Sequence, residues 1–402
     1  MQLTQKIRIF PNREQETLLW LLSDKCRLIY NFALSERREA YSKGTKGVNY
    51  YKQQNDLPMI KEKYPEYKWV YSHALQYTLR MLNAEYSSFF ALNKKGDKGA
   101  RPPHFKSKGR FSALVFNHGG YKVADGFVSI SHKHPSAIPL KFRIPDKFKL
   151  DKIAQVTLNM QGDEFYVGIT YEKEEKEYVD NGIYQAFDLG TIKQTAVNSM
   201  GKFIDFKNRR PDKYWVGSIT QVQRRLSHCR RGSHRYAFYK KTLERLQGKS
   251  ANQLKDVQHK LSRQVIDNTR ANTIIVGDLS VKDMAQKDNQ PMGMTRKGAR
   301  GLHRGMQNSG SIGRFVSFLE YKATLAGKKV IRINERGTSK TCCVCGKKKD
   351  MPLYERRYVC DCGNDIDRDR NSAVNIMQRF LSQMPSGLAA EILGNLRTGV
   401  GV

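Results

Sequence analysis

The sequence predicts a multidomain protein of mixed class, in which α/β and α+β regions follow one another. The chain has 402 residues, which is more than one hydrophobic core usually organises, so two to four domains are expected. Apolar side chains recur at helical spacing through residues 11–95, and short alternating runs between turn residues fill 111–178. From residue 182 onward, strand patterns and long helical patterns succeed each other.

The N-terminal region opens with a strand pattern and continues with two helical patterns. Residues 3–10 alternate as a strand does, whereas Leu18 and Leu22 lie at helical spacing in the first helix. A basic connector rich in Gly and Pro, at 94–110, ends the helical part. The alternating runs that follow predict a small antiparallel barrel or sandwich, which the first strand could join.

The charge balance indicates a polyanionic partner. Lys and Arg number 71 against 38 Asp and Glu, a formal net charge of +33, and such an excess repels itself unless a polyanion neutralises it. The sequence has no run of about 18 apolar residues that could span a membrane, and its strand-like start lacks the apolar core of a signal peptide. We therefore expect a nucleic-acid partner, no membrane partner and a cytoplasmic location.

Two long basic helical patterns between residues 207 and 270 form the predicted nucleic-acid surface. They carry little compensating acid and interleave Tyr236, Phe238 and Tyr239, which suits contact with phosphates and stacking on bases. The segment 286–310 is rich in Gly and Arg and is expected to be mobile. The basic candidates for nucleic-acid contact are Arg224, Arg225, Arg230, Arg231, Lys240 and Lys241.

A cluster of cysteines near the C-terminus predicts a structural zinc site. "TCCVCG" supplies Cys342 and Cys345, and "YVCDCG" supplies Cys360 and Cys362. Thiolates from two such knuckles close a tetrahedron around Zn²⁺, as in a zinc ribbon. The second pair has one intervening residue rather than two, so Cys343 stays open as a substitute ligand. Four thiolates leave no open coordination position, so this zinc would be structural.

Separated acids form a second candidate site. Asp188 lies within the apolar strand pattern "AFDLG", where a carboxylate is costly unless it is paired or bound to a metal. In "DIDRDRNSAVNIM", either Asp367 or Asp369 could instead cap the following helix. Asp278 follows the strand pattern "ANTIIVG" and could be a metal-binding acid or a cap. Acids from distant segments can converge on two Mg²⁺ or Mn²⁺ ions, which activate water and stabilise the leaving oxygen in phosphodiester cleavage.

Together these motifs resemble the transposon-encoded TnpB family, the relatives of type V CRISPR effectors. The resemblance covers nearly the whole chain. It rests on "RLIYNFALSERREAY", "LQYTLRMLNAEYSSFF" and "PHFKSKG" in the N-terminal half, and on "FDLG", "LEYKA", "GTSKTCCVCG" and "CGNDIDRDRNSAVNI" in the C-terminal half. It implies a prokaryotic RNA-guided DNA endonuclease, a monomer on its guide RNA. The RNA would pair with one strand of target DNA, while the protein reads a short flanking motif.

The resemblance also implies how the chain is partitioned. An RNase H-like (RuvC) nuclease domain would contain an inserted zinc ribbon that binds target nucleic acid, beside a small wedge β-barrel and a helical recognition domain. The implied boundaries are the first wedge strand at 1–10, the recognition domain at 11–110, the wedge barrel at 111–180, the nuclease domain at 181–336, the zinc ribbon at 337–363, the end of the nuclease domain at 364–385 and a weakly patterned tail at 386–402.

By the same resemblance, the catalytic acids would be Asp, Glu and Asp. Asp188 matches the first through "DLG", and Asp369 matches the third as the acid of Asp-x-Asn before the last helix. The middle position holds Gly277, where the family usually has glutamate. Asp278 could replace that glutamate only if a bulge redirects its side chain, because side chains alternate along a strand. Glu320 could replace it from a helix, since its small, apolar neighbours predict an inward-facing side.

We therefore predict Asp188, Glu320 and Asp369 as catalytic, with Asp278 as the alternative middle acid. Asp188 and Asp369 are the predicted ligands of Mg²⁺ or Mn²⁺. A second possibility is a dead nuclease that acts as an RNA-guided, DNA-binding transcriptional repressor. Such a protein would bind its target in Mg²⁺ without cutting it. A third possibility is a zinc-ribbon, transposase-like protein that works without RNA, which a copurifying RNA would exclude.

Overall fold

The computed structural model describes residues 1–45, 48–145, 148, 150, 152–190, 192–278, 295, 311–352 and 354–400. The chain divides into two compact units, Met1–Lys173 and Glu174–Val402. Apart from Thr295, the Gly- and Arg-rich segment 286–310 lies outside the described residues. The expected mobility of this segment therefore stays a prediction. Within the described ranges, no helix combines the length and the apolar character that a membrane span requires.

The described part of the N-terminal unit combines helices with two antiparallel sheets. Its helices are α1 (Arg13–Ser42), α2 (Tyr50–Asn55), α3 (Leu57–Lys63) and α4 (Ser72–Lys94). Its strands are β1 (Gln2–Ile9), β2 (Leu114–Phe116), β3 (Tyr121–Ala124), β4 (Phe127–Ile130), β5 (Leu140–Arg143), β6 (Ile153–Gln161) and β7 (Glu164–Glu172). The sheet orders are β1-β7-β6-β2 and β3-β4-β5. Since β1 pairs with β7, the prediction that the first strand joins this sheet is confirmed.

The helical part begins at a complete N-terminal cap. Asn12 Oδ1 accepts a hydrogen bond from Gln15 N at 2.8 Å, and Gln15 Oε1 accepts one from Asn12 N at 3.1 Å. This capping box satisfies two backbone N–H groups that would otherwise lack partners. From there α1 and α4 bury their apolar stripes, which include Leu22 and Leu79, in one core with the four-stranded sheet.

A five-stranded mixed sheet organises the C-terminal unit. Its strands are β8 (Tyr184–Leu189), β9 (Lys193–Asn198), β10 (Phe203–Lys207), β11 (Thr273–Gly277) and β12 (Lys329–Ile333). The order is β10-β9-β8-β11-β12, in which β8, β11 and β12 are parallel and the meander β8-β9-β10 is antiparallel. The helices described in this unit are α5 (Asp212–Ser227), α6 (His234–Asn268), α7 (Ser311–Leu325), α8 (Arg368–Leu381) and α9 (Ser386–Val400).

The two faces of this sheet pack against different helices. Ala186, Ile275 and Ile333 lie in one core with α8 and α9, whereas Phe187 and Val276 lie in another core with α6 and α7. Successive strand residues point to opposite faces. The position of a residue in its strand therefore determines whether its side chain points toward α8 or toward α7.

The C-terminal residues form a helix rather than the weakly patterned tail expected at 386–402. In α9, Ile392 and Leu396 are buried in the same core as α8. Asn395 Nδ2 donates a hydrogen bond to Ser199 O at 3.3 Å. The expectation is therefore wrong for residues 386–400, because three apolar residues spaced three and four positions apart suffice for one buried face once a sheet offers a partner surface.

Candidate nuclease and metal sites

Asp188 lies at the centre of the candidate acid site. It is the fifth residue of β8 and shares the face of Ala186, so its carboxylate points toward α8. Ser372 Oγ of α8 donates a hydrogen bond to Asp188 Oδ1 at 3.2 Å. Burial raises the pKa of Asp188 to about 8, and the negative charges of Asp369 and Glu335 add to the rise. This carboxyl therefore keeps its proton to higher pH than an ordinary aspartate does, and a bound cation would oppose that effect.

Asp367 and Asp369 have different roles at the start of α8. Asp367 is the N-cap, because its Oδ1 accepts hydrogen bonds from Asp369 N at 2.9 Å and Arg370 N at 3.2 Å. Asp369 has no capping role, and Lys193 Nζ lies 3.7 Å from its Oδ2. The cap interpretation left open by the sequence thus applies to Asp367, and Asp369 contributes its charge beside Asp188.

Glu335 fills the space beside Asp188 that Gly277 leaves open. In the parallel pairing of β8 and β11, Phe187 is the partner of Val276, so the next residues, Asp188 and Gly277, lie side by side on the α8 face. A Cβ atom placed on Gly277 would overlap the carboxylate of Glu335. Glu335 follows the last residue of β12 by two positions, and its side chain therefore reaches back over the glycine.

The carboxylate of Glu335 is partly buried among other negative charges. Its Oε2 atom is buried and has no hydrogen-bond partner among the residues that the structure describes. Burial raises the pKa of Glu335 to about 7, the charge of Asp278 adds to the rise, and Arg379 opposes it. Because a buried carboxylate oxygen without a partner is costly, a bound cation would stabilise this arrangement. The sequence reasoning missed Glu335, although it directly follows a strand pattern.

Glu320 and Asp278, the two acids that the sequence offers for the middle position, lie elsewhere. Glu320 belongs to α7, on the opposite face of the sheet, and its Oε1 pairs with Arg332 Nη2 at 2.8 Å with 37% of the side chain exposed. The predicted inward orientation of Glu320 is therefore wrong. The side chain of Asp278 is 63% exposed. Since β11 pairs with β12 without a register shift as far as Gly277, no bulge in that pairing redirects Asp278.

The raised pKa of Asp188 predicts that the acid site destabilises the metal-free protein at high pH. Folding raises this pKa from 3.8 to about 8, so the folded state binds the extra proton and stability falls as pH rises through that interval. Asp188→Asn removes the linkage. In EDTA we expect this variant to melt above the unmodified protein, by a margin that grows from about pH 6 to about pH 8.5. Thermal melts measure this margin, and a pH-independent difference would contradict the assignment.

The four predicted zinc ligands lie together. The Sγ atoms of Cys342, Cys345, Cys360 and Cys362 are all within 4.8 Å of one another. Opposite sulfurs, Cys342 with Cys362 and Cys345 with Cys360, are 3.7 and 3.6 Å apart. A tetrahedron with Zn–S bonds of about 2.3 Å has sulfur–sulfur edges of about 3.8 Å. Two of the sulfur pairs thus match such an edge, and the cluster could hold one tetrahedral metal ion.

Cys343, the substitute ligand left open by the sequence, lies outside this cluster. Its side chain is buried in the core beside α8, and burial raises the pKa of its thiol to about 12. That shift opposes the thiolate form that a metal requires. Burial also raises the pKa of Cys342, but the backbone N–H groups of Cys345 and Val344 and the Asn364 amide bring it down to about 7.

Replacing Cys345 by serine is expected to reduce bound zinc to a small fraction and to loosen residues 337–363. The reason is that metal binding and local folding are coupled in such knuckles. Elemental analysis gives the zinc content, and limited proteolysis reports the local change. Cys343→Ala is the matched control and should keep its zinc. Unchanged zinc in Cys345→Ser, together with loss in Cys343→Ala, would make Cys343 the ligand instead.

The six basic candidates for nucleic-acid contact lie where α5 and α6 meet. All six side chains are exposed. Phe238 beside them is 65% exposed, and Tyr236 and Tyr239 are partly buried. The indole of Trp215 donates a hydrogen bond to Gln253 Oε1 at 2.7 Å, which joins the two helices. An exposed aromatic ring among exposed cations suits a nucleic-acid strand.

Three family models match separate segments of the chain in order. A "Helix-turn-helix domain" model (HTH_OrfB_IS605) matches residues 1–46, a "Probable transposase" model (OrfB_IS605) matches 169–288, and a "Cas12f1-like, TNB domain" model matches 313–376. A TnpB-like protein of Acanthamoeba polyphaga mimivirus is 34% identical over 128 residues, which are 32% of this chain and 23% of that protein. These matches confirm the predicted resemblance to the TnpB family.

Other relatives match this chain along nearly its whole length. A "Putative RNA-guided DNA endonuclease" of Streptomyces pristinaespiralis is 23% identical over 97% of this chain and 90% of its own. The "Putative RNA-guided DNA endonuclease InsQ" of Escherichia coli is 24% identical over 92% and 90%. Among solved structures, a Cas12f1-sgRNA-target DNA complex has a TM-score of 0.60 at 12% identity and covers 94% of this chain and 98% of that chain. This likeness confirms the predicted mixed α/β multidomain class.

Proposed function

We propose that this chain is an RNA-guided DNA endonuclease that cleaves, with divalent metal ions, DNA paired to a guide RNA next to a short flanking motif. The observation that carries the proposal is the mutual placement of three carboxylates: Glu335 lies over Gly277 beside the partly buried Asp188, and the charges of Asp369 and Glu335 both raise the pKa of Asp188. Such clusters of perturbed acids are typical of nuclease metal sites. The relatives that match nearly the whole chain are named putative RNA-guided DNA endonucleases, which supports the same activity here.

The proposal includes a finer division of the fold. We assign the five-stranded sheet and its helices to an RNase H-like (RuvC) nuclease domain, because its acids come from a sheet strand, from the end of a neighbouring parallel strand and from the start of α8. We assign the antiparallel sheets of the N-terminal unit to a wedge. The proposed boundaries are wedge 1–10 and 111–180, recognition helices 11–110, nuclease 181–336 and 364–385, and zinc ribbon 337–363.

The acid site suits Mg²⁺ or Mn²⁺. Its ligand atoms are carboxylate oxygens, the hard donors that these ions prefer, and the buried Oε2 of Glu335 is an acceptor without a partner among the described residues. Asp188, Glu335 and Asp369 would bind the ions. The ions would supply an activated water and stabilise the leaving oxygen of the phosphodiester.

Residues of the chain itself place these acids. Ser372 fixes one oxygen of Asp188, and the N-cap at Asp367 sets the start of α8 and with it the position of Asp369. Lys193 Nζ lies 3.3 Å from Asp367 Oδ1 and 3.7 Å from Asp369 Oδ2. Acids that are already oriented need little rearrangement when metal and phosphate arrive, which is the main source of catalysis in such sites.

Guide RNA and target DNA are the proposed partners. The net charge of +33 requires a large polyanion, and the exposed basic residues at the α5–α6 junction offer phosphate contacts. A structural Zn²⁺ at the four cysteines would order the ribbon, since their sulfurs already lie within 4.8 Å of one another. The nuclease metal and the structural metal are thus distinct in ligand chemistry and in role.

The test of the proposal uses protein purified together with its own RNA at moderate salt. We expect one discrete RNA species, whose sequence defines the matching DNA, and cleavage of that DNA in Mg²⁺ but not in EDTA. A DNA of scrambled sequence is the control and should stay intact. A stable preparation free of RNA, or Mg²⁺-dependent cleavage that ignores the match to the RNA, would contradict the proposal.

A further inference from the structure

The loop that carries Glu335 is fixed although it belongs to no strand or helix. Each of its three carbonyl oxygens accepts hydrogen bonds. Arg379 Nη1 donates to Asn334 O at 2.6 Å, and Arg379 Nη2 donates to Arg336 O at 2.9 Å. Thr338 donates to Glu335 O from its backbone N at 3.1 Å and from its Oγ1 at 2.9 Å. One guanidinium therefore bonds the carbonyl oxygens of the residues before and after Glu335.

The helix that supplies this guanidinium also supports Asp188. In α8, Ser372 Oγ donates to Asp188 Oδ1 and lies 2.8 Å from Thr338 Oγ1. Asp188, Ser372, Thr338 and the carbonyl of Glu335 thus lie in one continuous set of polar contacts. Arg379 closes the same set from the C-terminal end of α8. Both carboxylates therefore take their positions from one rigid element.

A glutamate on a loop needs such support more than a glutamate on a strand does. A side chain at Gly277 would be oriented by the hydrogen bonds of β11 to both neighbouring strands. Glu335 lies beyond the last paired residue of β12, so its backbone has no such ladder. A guanidinium can replace the strand hydrogen bonds as a support for this loop, because its planar fork presents two donors in fixed directions and a lysine ammonium does not.

We propose that Arg379 is a positioning residue of the nuclease, which holds the loop carbonyls on both sides of Glu335 so that its carboxylate lies over Gly277. This inference rests on the proposed function, in which Glu335 binds the metal. Arg379 would act through the loop that carries Glu335, since its guanidinium bonds two carbonyl oxygens of that loop. Supporting residues of this kind typically change metal affinity about 10- to 100-fold when they are removed.

The test compares Arg379→Met, Arg379→Lys and a control, Arg397→Met, which changes an exposed arginine of α9. Guide-bound protein is melted in EDTA and across a Mn²⁺ titration, and single-turnover cleavage is measured across a Mg²⁺ titration. For Arg379→Met we expect the Mn²⁺ concentration at half-maximal stabilisation to rise about ten-fold. Cleavage should fall at low Mg²⁺ and recover largely at high Mg²⁺. Arg379→Lys should recover part of the Mn²⁺ affinity and part of the cleavage at low Mg²⁺. Arg397→Met should match the unmodified protein in both measurements.

Glu335→Gln separates this inference from the proposed function. If Glu335→Gln weakens the Mn²⁺ response and Arg379→Met leaves it unchanged, Glu335 is a ligand and the positioning role of Arg379 is refuted. If Glu335→Gln also leaves the response unchanged, the proposed metal site itself is wrong. If Arg379→Met melts at a much lower temperature in EDTA, Arg379→Lys becomes the deciding variant. A weakened Mn²⁺ response of Arg379→Lys, at an unchanged melting temperature in EDTA, supports the positioning role of Arg379. An unchanged Mn²⁺ response of Arg379→Lys overturns that role.

Discussion

Asp188→Ala is expected to reduce single-turnover DNA cleavage by at least about 1,000-fold while guide and target affinities stay close to those of the unmodified protein. Asp188 is the partly buried centre of the acid site, and the charges of both other acids act on it. Nucleic-acid affinity resides instead in base pairing and in phosphate contacts. Cleavage is followed on matched DNA in saturating Mg²⁺, and target binding is measured on the same complexes in Ca²⁺ or EDTA.

Asp256→Ala is the control for this prediction. Asp256 is an exposed acid of α6 that pairs with Lys260 at 2.8 Å, in the same unit as Asp188. Its replacement removes one negative charge and should leave cleavage unchanged. Appreciable cleavage by Asp188→Ala would refute the acid site. If the unmodified complex binds its target and never cuts in Mg²⁺ or Mn²⁺, the repressor interpretation replaces the nuclease interpretation.

The fold could be predicted from the sequence wherever one local pattern determines an element. The helices of the N-terminal unit, the meander β8-β9-β10 and the joining of β1 to the N-terminal sheet follow from apolar spacing and turn residues. The order of strands in the C-terminal sheet does not follow from such patterns. It depends on which buried faces meet, and one sequence does not record that.

This limit explains why the sequence reasoning reached Asp188 and Asp369 and missed Glu335. The first two acids lie in motifs that carry the family resemblance. Glu335 can be recognised as a site residue only once β12 is known to lie beside β11, because this pairing brings two parallel strand ends to one edge of the sheet. The small, apolar neighbours of Glu320 favour it as the replacement for the missing glutamate, but α7 packs on the opposite face of the sheet. With the strand order known, an acid just after β12 opposite a glycine would have been the first candidate.

Glu335→Gln is expected to reduce cleavage about as strongly as Asp188→Ala, because it removes one metal-binding charge and keeps the shape of the side chain. Glu320→Gln and Asp278→Asn should cleave at nearly the unmodified rate, since Glu320 pairs with Arg332 on the other face and Asp278 is largely exposed. Single-turnover rates in Mg²⁺ measure all three variants. Loss of cleavage in Glu320→Gln with retention in Glu335→Gln would restore the prediction made from the sequence.

Moving the glutamate back to the strand tests whether Glu335 fills the place of a side chain at 277. Gly277→Glu alone should be inactive and less stable, because its Cβ would overlap the Glu335 carboxylate. Glu335→Ala removes that carboxylate, so the double variant places a new one beside Asp188 on the same face. We expect it to cleave at least about ten-fold faster than Glu335→Ala, a non-additive gain of the kind that two residues sharing one space produce. If the folded, guide-bound double variant cleaves no faster than Glu335→Ala, then Glu335 does more than occupy the position that Gly277 leaves open.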